Sequence, residues 1–346
     1  MHMSDTSVPN NQPSAEAPAR HRWLGLPVNS PVESTLAQIF DHLPHFGRQP
    51  FTMSSVNGTE VSVNPYLDMI YRMPTRQGES PVPVGVVSKN YRLVDHDHVL
   101  RVIEEVLADS GIDPVKIAVK AEWTAYGERA RFSLIFPSDE RYRVDLGDRD
   151  EMRFRVEVFN SVEGSCRLMV VAGWLRFVCS NGLILGTAVM QLRTHRQQLQ
   201  IEELSRLLRE AIQSAGGDQD TMSRWRSRAI EAGVLTEWAD NDVCGKWGIK
   251  GAVRVLAILR TGCDAELKGD LKDKLPSEIA TAKTTDVPGI TPPMPDLFGG
   301  CQSGRDAFEV SQALTWVAGQ RTDLQEDLQW RSQVPELMDL LLRKPC

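Results

Sequence analysis

The feature that most constrains the fold is a set of short segments in which every second residue is apolar. Ile117, Val119 and Ala121 alternate with polar neighbours; Ala130, Phe132, Leu134 and Phe136 do so again after a Tyr126–Gly127 turn, and Phe154, Val156 and Val158 make a third run. Successive side chains of a strand point to opposite faces, so a period of two predicts strands with one apolar and one polar face. The first two runs read as a hairpin. Asn160-Ser161-Val162-Glu163-Gly164-Ser165 then leads into the apolar stretch Leu168 to Val178. The expectation is the α+β class: an antiparallel, curved β-sheet with helices packed on one face, followed by a mostly helical C-terminal part.

The helices announce themselves by a different period. Val32, Leu36, Ile39, Phe40 and Leu43 recur at helical spacing after Ser30–Pro31. Val82, Val84, Val86 and Val87 form an extended run that resumes at Tyr91, Leu93 and Val94; Asp95 can then cap a helix whose apolar face is Val99, Val102, Ile103, Val106 and Leu107, ended by Gly111. Beyond Asn181 and Gly182, Leu199, Leu204, Leu207, Leu208 and Ile212 predict a helix bounded by Gly216 and Gly217. Further helices are expected over Thr221 to Trp238, Ile249 to Leu259, Ala307 to Gly319 and Glu336 to Arg343. The organisation expected is a disordered tail over 1–28, a sheet domain over 29–192, and a helical region over 193–346 with a Pro/Gly-rich loop at about 276–304.

Composition narrows the function classes. The formal charge is −7 and the pI about 5.6, so a nucleic acid would have to be met by a local basic patch rather than a global field. No apolar run approaches the roughly 20 residues of a spanning helix, and the Ser/Pro/Asn/Ala-rich start lacks the order of a secretory signal, which argues for a cytoplasmic protein with no membrane partner. Six scattered cysteines without a C-x-x-C pair suit free thiols in a reducing compartment. There is no Walker loop, no G-x-G-x-x-G after a strand, no H-E-x-x-H and no G-x-S-x-G, so neither a cofactor nor a metal is expected. His96-Asp97-His98 reads as a helix start rather than a metal site, since adjacent residues there point in different directions.

Two groups of residues carry candidate chemistry. Asn160, Glu163, Arg176, Asn181 and His195 follow neighbouring strands and would converge at one sheet end; Cys179 lies among them and reads as a buried thiol. A turn of this composition also forms for backbone reasons alone. The second group is basic: Arg193, Arg196, Arg224, Trp225, Arg226 and Arg228 interleave guanidiniums with an indole, the means by which single-stranded nucleic acid is held through phosphates and base stacking. An apolar-face position for Trp225, with the arginines on a solvated face, is the plainer reading.

The Asn160–Ser165 turn, then Trp174-Leu175-Arg176-Phe177-Val178-Cys179-Ser180-Asn181, then His195, resemble the phage/plasmid-like family catalogued as domain of unknown function number 932. Val87-Ser88-Lys89-Asn90-Tyr91 resembles that family's upstream segment, and Ala307 to Thr315 its C-terminal helix. The resemblance implies a protein carried by phages, plasmids or integrative elements and fixes no reaction. The leading expectation is a nucleic-acid-associated accessory protein, a single-strand binder or annealing factor in recombination, with single-stranded DNA and further copies of itself as partners. A defence or counter-defence protein acting through protein contacts, and an enzyme using Asn160, Glu163 and His195, stay open beside it.

Overall fold

The computed structural model describes residues 32–54, 61–147, 150–165, 168–176, 182–183, 189–191, 201–265, 284–287, 290, 305–321 and 324–344. A short strand β1 (Val32–Thr35) passes directly into a single helical turn α1 (Leu36–Phe40), so the first half of the helix expected after Pro31 is extended and pairs with a later strand. Next come β2 (Phe46–Ser54), β3 (Val61–Arg72) and β4 (Val82–Ser88), an antiparallel three-stranded sheet in that order. The sequence reading found only the last of these, because β2 and β3 contain Pro50 and Pro65 and do not keep a clean apolar alternation.

Helix α2 (His96–Asp109) begins where expected. Asp95 caps it, accepting from the backbone N–H of His96 at 2.7 Å, and Val99, Val102, Ile103, Val106 and Leu107 are all buried. The second sheet follows: β5 (Ala118–Trp123), β6 (Arg129–Ile135), β7 (Arg143–Gly147), β8 (Asp150–Ser161), β9 (Met169–Arg176), β10 (Gly182–Leu183) and β11 (Val189–Gln191). With β1 it is eight-stranded and antiparallel, in the order β1-β5-β6-β8-β9-β10, with β7 also on β8 and β11 also on β9.

The sheet is not curved as expected; it is open, neither curled nor closed. The reason lies in the ladders. The central pairings β5–β6, β6–β8 and β8–β9 run without a register shift, and bulges are what bend a sheet toward closure. The apolar half of each alternating run faces one side, where Val119, Phe132, Leu134, Phe154, Val156 and Trp174 join α1, α2 and the next helix in one core.

That helix, α3 (Ile201–Arg226), corrects a second expectation, because it continues through Gly216 and Gly217 instead of ending there. Each interior glycine costs about 1 kcal/mol, but Ala215, Met222 and Trp225 bury the helix on the core, and Asp218 accepts a hydrogen bond at 3.1 Å from the indole N–H of Trp174. Burial pushes the Asp218 carboxyl up to about 6, against the pull of that indole. Beyond it lie β12 (Ala229–Ile230), α4 (Ala232–Trp238), a π-helical stretch Ala239–Val243, and α5 (Cys244–Thr261). The chain closes with β13 (Cys263–Ala265), β14 (Thr284–Asp286), β15 (Arg305–Asp306), α6 (Ala307–Gly319) and α7 (Leu324–Leu342). The C-terminal region is mostly helical. Among the described residues no helix is long and apolar enough to cross a membrane, and Cys244 carries a free thiol.

Candidate functional site

Three polar groupings stand out, and the first joins the two sheets. Asn160, the last residue but one of β8, is fully buried. Its side-chain amide donates to the carbonyl of Val94 at 3.0 Å and to Nδ1 of His96 at 2.9 Å. His96 is also fully buried, and its other ring nitrogen donates to the carbonyl of Gly127 at 2.7 Å. Donation at Nε2 and acceptance at Nδ1 define a neutral imidazole, and burial depresses its pKa to about 4. Gly127 turns the β5–β6 hairpin with φ of +81°, and a side chain there would collide with Pro44. Beside it, Thr124 donates to Glu128 at 2.7 Å.

Glu163 occupies the rim of the same joint. It accepts from Nε of Arg129 at 2.9 Å, from the backbone N–H of Ser165 at 2.7 Å and from the Ser165 hydroxyl. A side chain on Gly85 of β4 would overlap the Glu163 side chain, so the smaller sheet rests directly on this turn. Tyr91 donates through its hydroxyl to the carbonyl of Ser161 at 3.2 Å, and Phe46, Ile70, Val87, Tyr91 and Val162 form a small separate core there. Asn160 and Glu163 thus engage separate partners near this end of the sheet, the Val94 carbonyl and His96 for the first and Arg129 and Ser165 for the second.

The second grouping is the polar half of the alternating strands. On the face opposite the main core, Arg131 bonds Glu122 and approaches Glu157 at 3.6 Å, Arg155 approaches Glu157 at 3.7 Å, and Ser133 donates to Glu157 at 3.2 Å. Lys120 lies between Glu33 and Glu122, and Glu151 holds both Arg143 and Arg153. Burial pushes the Glu157 carboxyl up, but Arg155, Arg131 and Arg331 of α7, with the Ser133 hydroxyl, outweigh it and hold the group below the ordinary carboxylate range. This lattice was missed because only the apolar members of each run were read; Arg129, Arg131, Ser133 and then Arg153, Arg155, Glu157, at every second position, were its signal.

The third grouping is the exposed end of α3. Gln219 donates to the carbonyls of Glu140 at 2.5 Å and Arg143 at 2.7 Å, and Arg226 donates to that of Asp145 at 3.5 Å, tying the helix to the 140–145 segment. Arg141 and Arg226 are exposed beside this seam, and Arg224, also exposed, stands two residues from Arg226 and so on another side of the helix. Arg143 is neutralised by Glu151 and Asp145, whereas Arg141 and Arg224 make no ion pair among the described residues. Arg224 bonds the neutral Thr221 hydroxyl. Trp225 is buried in the core and presents no stacking face, and half-buried Arg228 donates to the carbonyl of Leu342 at 2.5 Å.

Residues 83–246 match the family model described as a domain of unknown function, DUF932. The chain carries a DUF932 domain. The match takes in β4 and the Asn160–Ser165 turn, and it ends within α5, so the Ala307–Thr315 segment lies outside it. Neither the curated proteins nor the solved structures return a match. Within the DUF932 segment the joint between the sheets, most of the charged lattice and the end of α3 are all described. The side chain of Arg176, and the whole of Cys179, Asn181, Arg193, His195 and Arg196, lie outside the described residues. Among the described residues no group of three or more His, Cys, Asp or Glu side chains is placed to hold a metal ion.

Proposed function

We propose that this DUF932 protein is a nucleic-acid-associated accessory protein of a phage, plasmid or integrative element that binds single-stranded DNA. The observation that carries the reading is the exposed end of α3, where Arg224 and Arg226 face solvent on different sides of the helix and the exposed Arg141 lies on the adjoining segment that Gln219 pins. The guanidiniums of Arg141 and Arg224, which make no ion pair among the described residues, are available to phosphate oxygens, and a fixed backbone lowers the ordering cost of binding. In a chain of charge −7 such a strip gives contact without a long-range field, so binding should be weak and strongly salt-dependent. Arg193 and Arg196 enter the proposal on their place in the sequence, just before α3.

A salt titration of binding to labelled single-stranded DNA tests this. Arg141→Ala, Arg224→Ala and Arg226→Ala together should weaken binding and flatten the log–log salt slope by about 0.7 per lost phosphate contact. A folded triple variant with unchanged affinity and slope, or a native chain that ignores DNA at low salt, overturns the reading.

A further inference from the structure

Among the described residues the exposed apolar side chains are not scattered. Met53, Val61, Val63, Tyr66, Met73 and Val86 all belong to the three-stranded sheet or its immediate end, and only Val115, Tyr126 and Ile249 lie elsewhere among the described residues. The outer half of the β2–β3 hairpin pairs Thr52 with Val63, Met53 with Ser62 and Ser54 with Val61, and β4 pairs with β3 only from Leu67 onward. That half therefore stands clear of the body on both faces: Val61 and Val63 share one face, and Met53 lies on the other, 66% exposed.

Tyr66 is the most exposed of these residues at 77%. Its backbone is nevertheless fixed. Asn64 accepts through its side chain from the N–H groups of Tyr66 at 2.8 Å and Leu67 at 3.1 Å, and the Tyr66 carbonyl accepts from the N–H of Lys89 at 2.9 Å. An aromatic ring held out on a rigid turn is the form of an interface anchor, because little freedom is left to lose on binding.

Charge identifies the partner. From Gln49 to Leu67 the sequence contains one charged residue, Glu60, in a chain that is 25% charged. Between Arg48 and Arg72 there is no cation at all, and Asp68 is engaged by Arg48 at 2.6 Å. Phosphates of a nucleic acid or an anionic lipid would find nothing to bind there. Two copies of a chain carrying −7 repel each other over most of their surface, and this hairpin is where that repulsion is least. A patch that is apolar and nearly uncharged is complementary to itself, which is what a two-fold contact requires.

We infer that the β2–β3 hairpin is a self-association arm, through which Val61, Val63 and Tyr66 of one copy pack on the same arm of a second copy. The inference is independent of the nucleic-acid reading, since the arm and the α3 seam share no residue.

Analytical ultracentrifugation of nuclease-treated, nucleic-acid-free protein reads the outcome. The native chain should sediment as a concentration-dependent dimer or higher oligomer, and Val61→Lys with Val63→Lys should sediment as a monomer with an unchanged circular dichroism spectrum. A native chain that stays monomeric at its highest soluble concentration overturns the inference, as does a folded double variant that keeps the native oligomer. Should the lysines impair folding, Val63→Cys treated with a short bis-maleimide gives a second reading. A crosslink joining position 63 of two chains supports the arm-to-arm contact, and a crosslink only to other positions, or none, overturns it. Loss of DNA binding in the arginine variants with oligomerisation intact, or the reverse, tells failure of one reading from failure of the other.

Discussion

The two sheets meet water in opposite ways. On the polar face of the eight-stranded sheet, whose centre at Glu122 and Glu157 is buried, Lys120, Arg131, Arg153 and Arg155 are interleaved with Glu33, Glu122, Glu151 and Glu157, so that each charge has an opposite neighbour. The outer half of the three-stranded sheet carries Met53, Val61, Val63 and Tyr66 in the open, with scarcely a charge nearby. Both are antiparallel, so backbone pairing does not distinguish them; side-chain chemistry does. A paired ionic face is complete in itself, whereas an apolar face leaves a hydrophobic gain unrealised until something covers it.

The comparison can be pressed hardest at the centre of the ionic face. Glu157→Gln removes the carboxylate that Arg131, Arg155 and Arg331 surround, and leaving buried guanidiniums without it should cost about 3–5 kcal/mol in urea denaturation. A loss of about 1 kcal/mol or less is the behaviour of a solvent-screened surface pair, and would break the contrast.

The joint between the sheets comes next. The folded-state pKa of His96, about 4, lies below its unfolded value near 6.5, so the unfolded chain binds the extra proton first as pH falls. The contribution of the neutral ring is complete above pH 6.5 and is lost progressively between pH 6.5 and 4, by about 3 kcal/mol in all. Stability curves of the native chain and His96→Gln over that range should differ in slope, and parallel curves would remove His96 from the joint. The smallest effect belongs to the arm: Met53→Ser or Val61→Ser should change the stability of the isolated monomer by less than about 0.5 kcal/mol, measured in dilute solution. A larger loss would mean that the arm is packed within its own chain.

Much of this was legible in the residues. The runs at Val119–Ala121, Ala130–Phe136 and Phe154–Val158 are strands because burial on one face demands a period of two, and Asp95 starts α2 because a carboxylate at that position satisfies a free N–H group. Asn160 and Glu163 were placed together at a sheet end because they follow one strand. Their partners His96 and Arg129 come from a helix start and a hairpin, at separations no local pattern records.

What the sequence by itself determined was the local period of each segment and its preferred termini, since these depend on neighbours a few residues apart. Only the tertiary structure decided that α3 runs through Gly216 and Gly217, where Trp174 and the core reward the continued helix. It also decided that the sheet stays open, and that Trp225 turns inward while Tyr66 turns outward. Each of these outcomes rests on a contact or an exposure set by distant residues. A side chain carries the same chemistry wherever it stands, and only its surroundings determine whether that chemistry is consumed in the fold or left available to a partner.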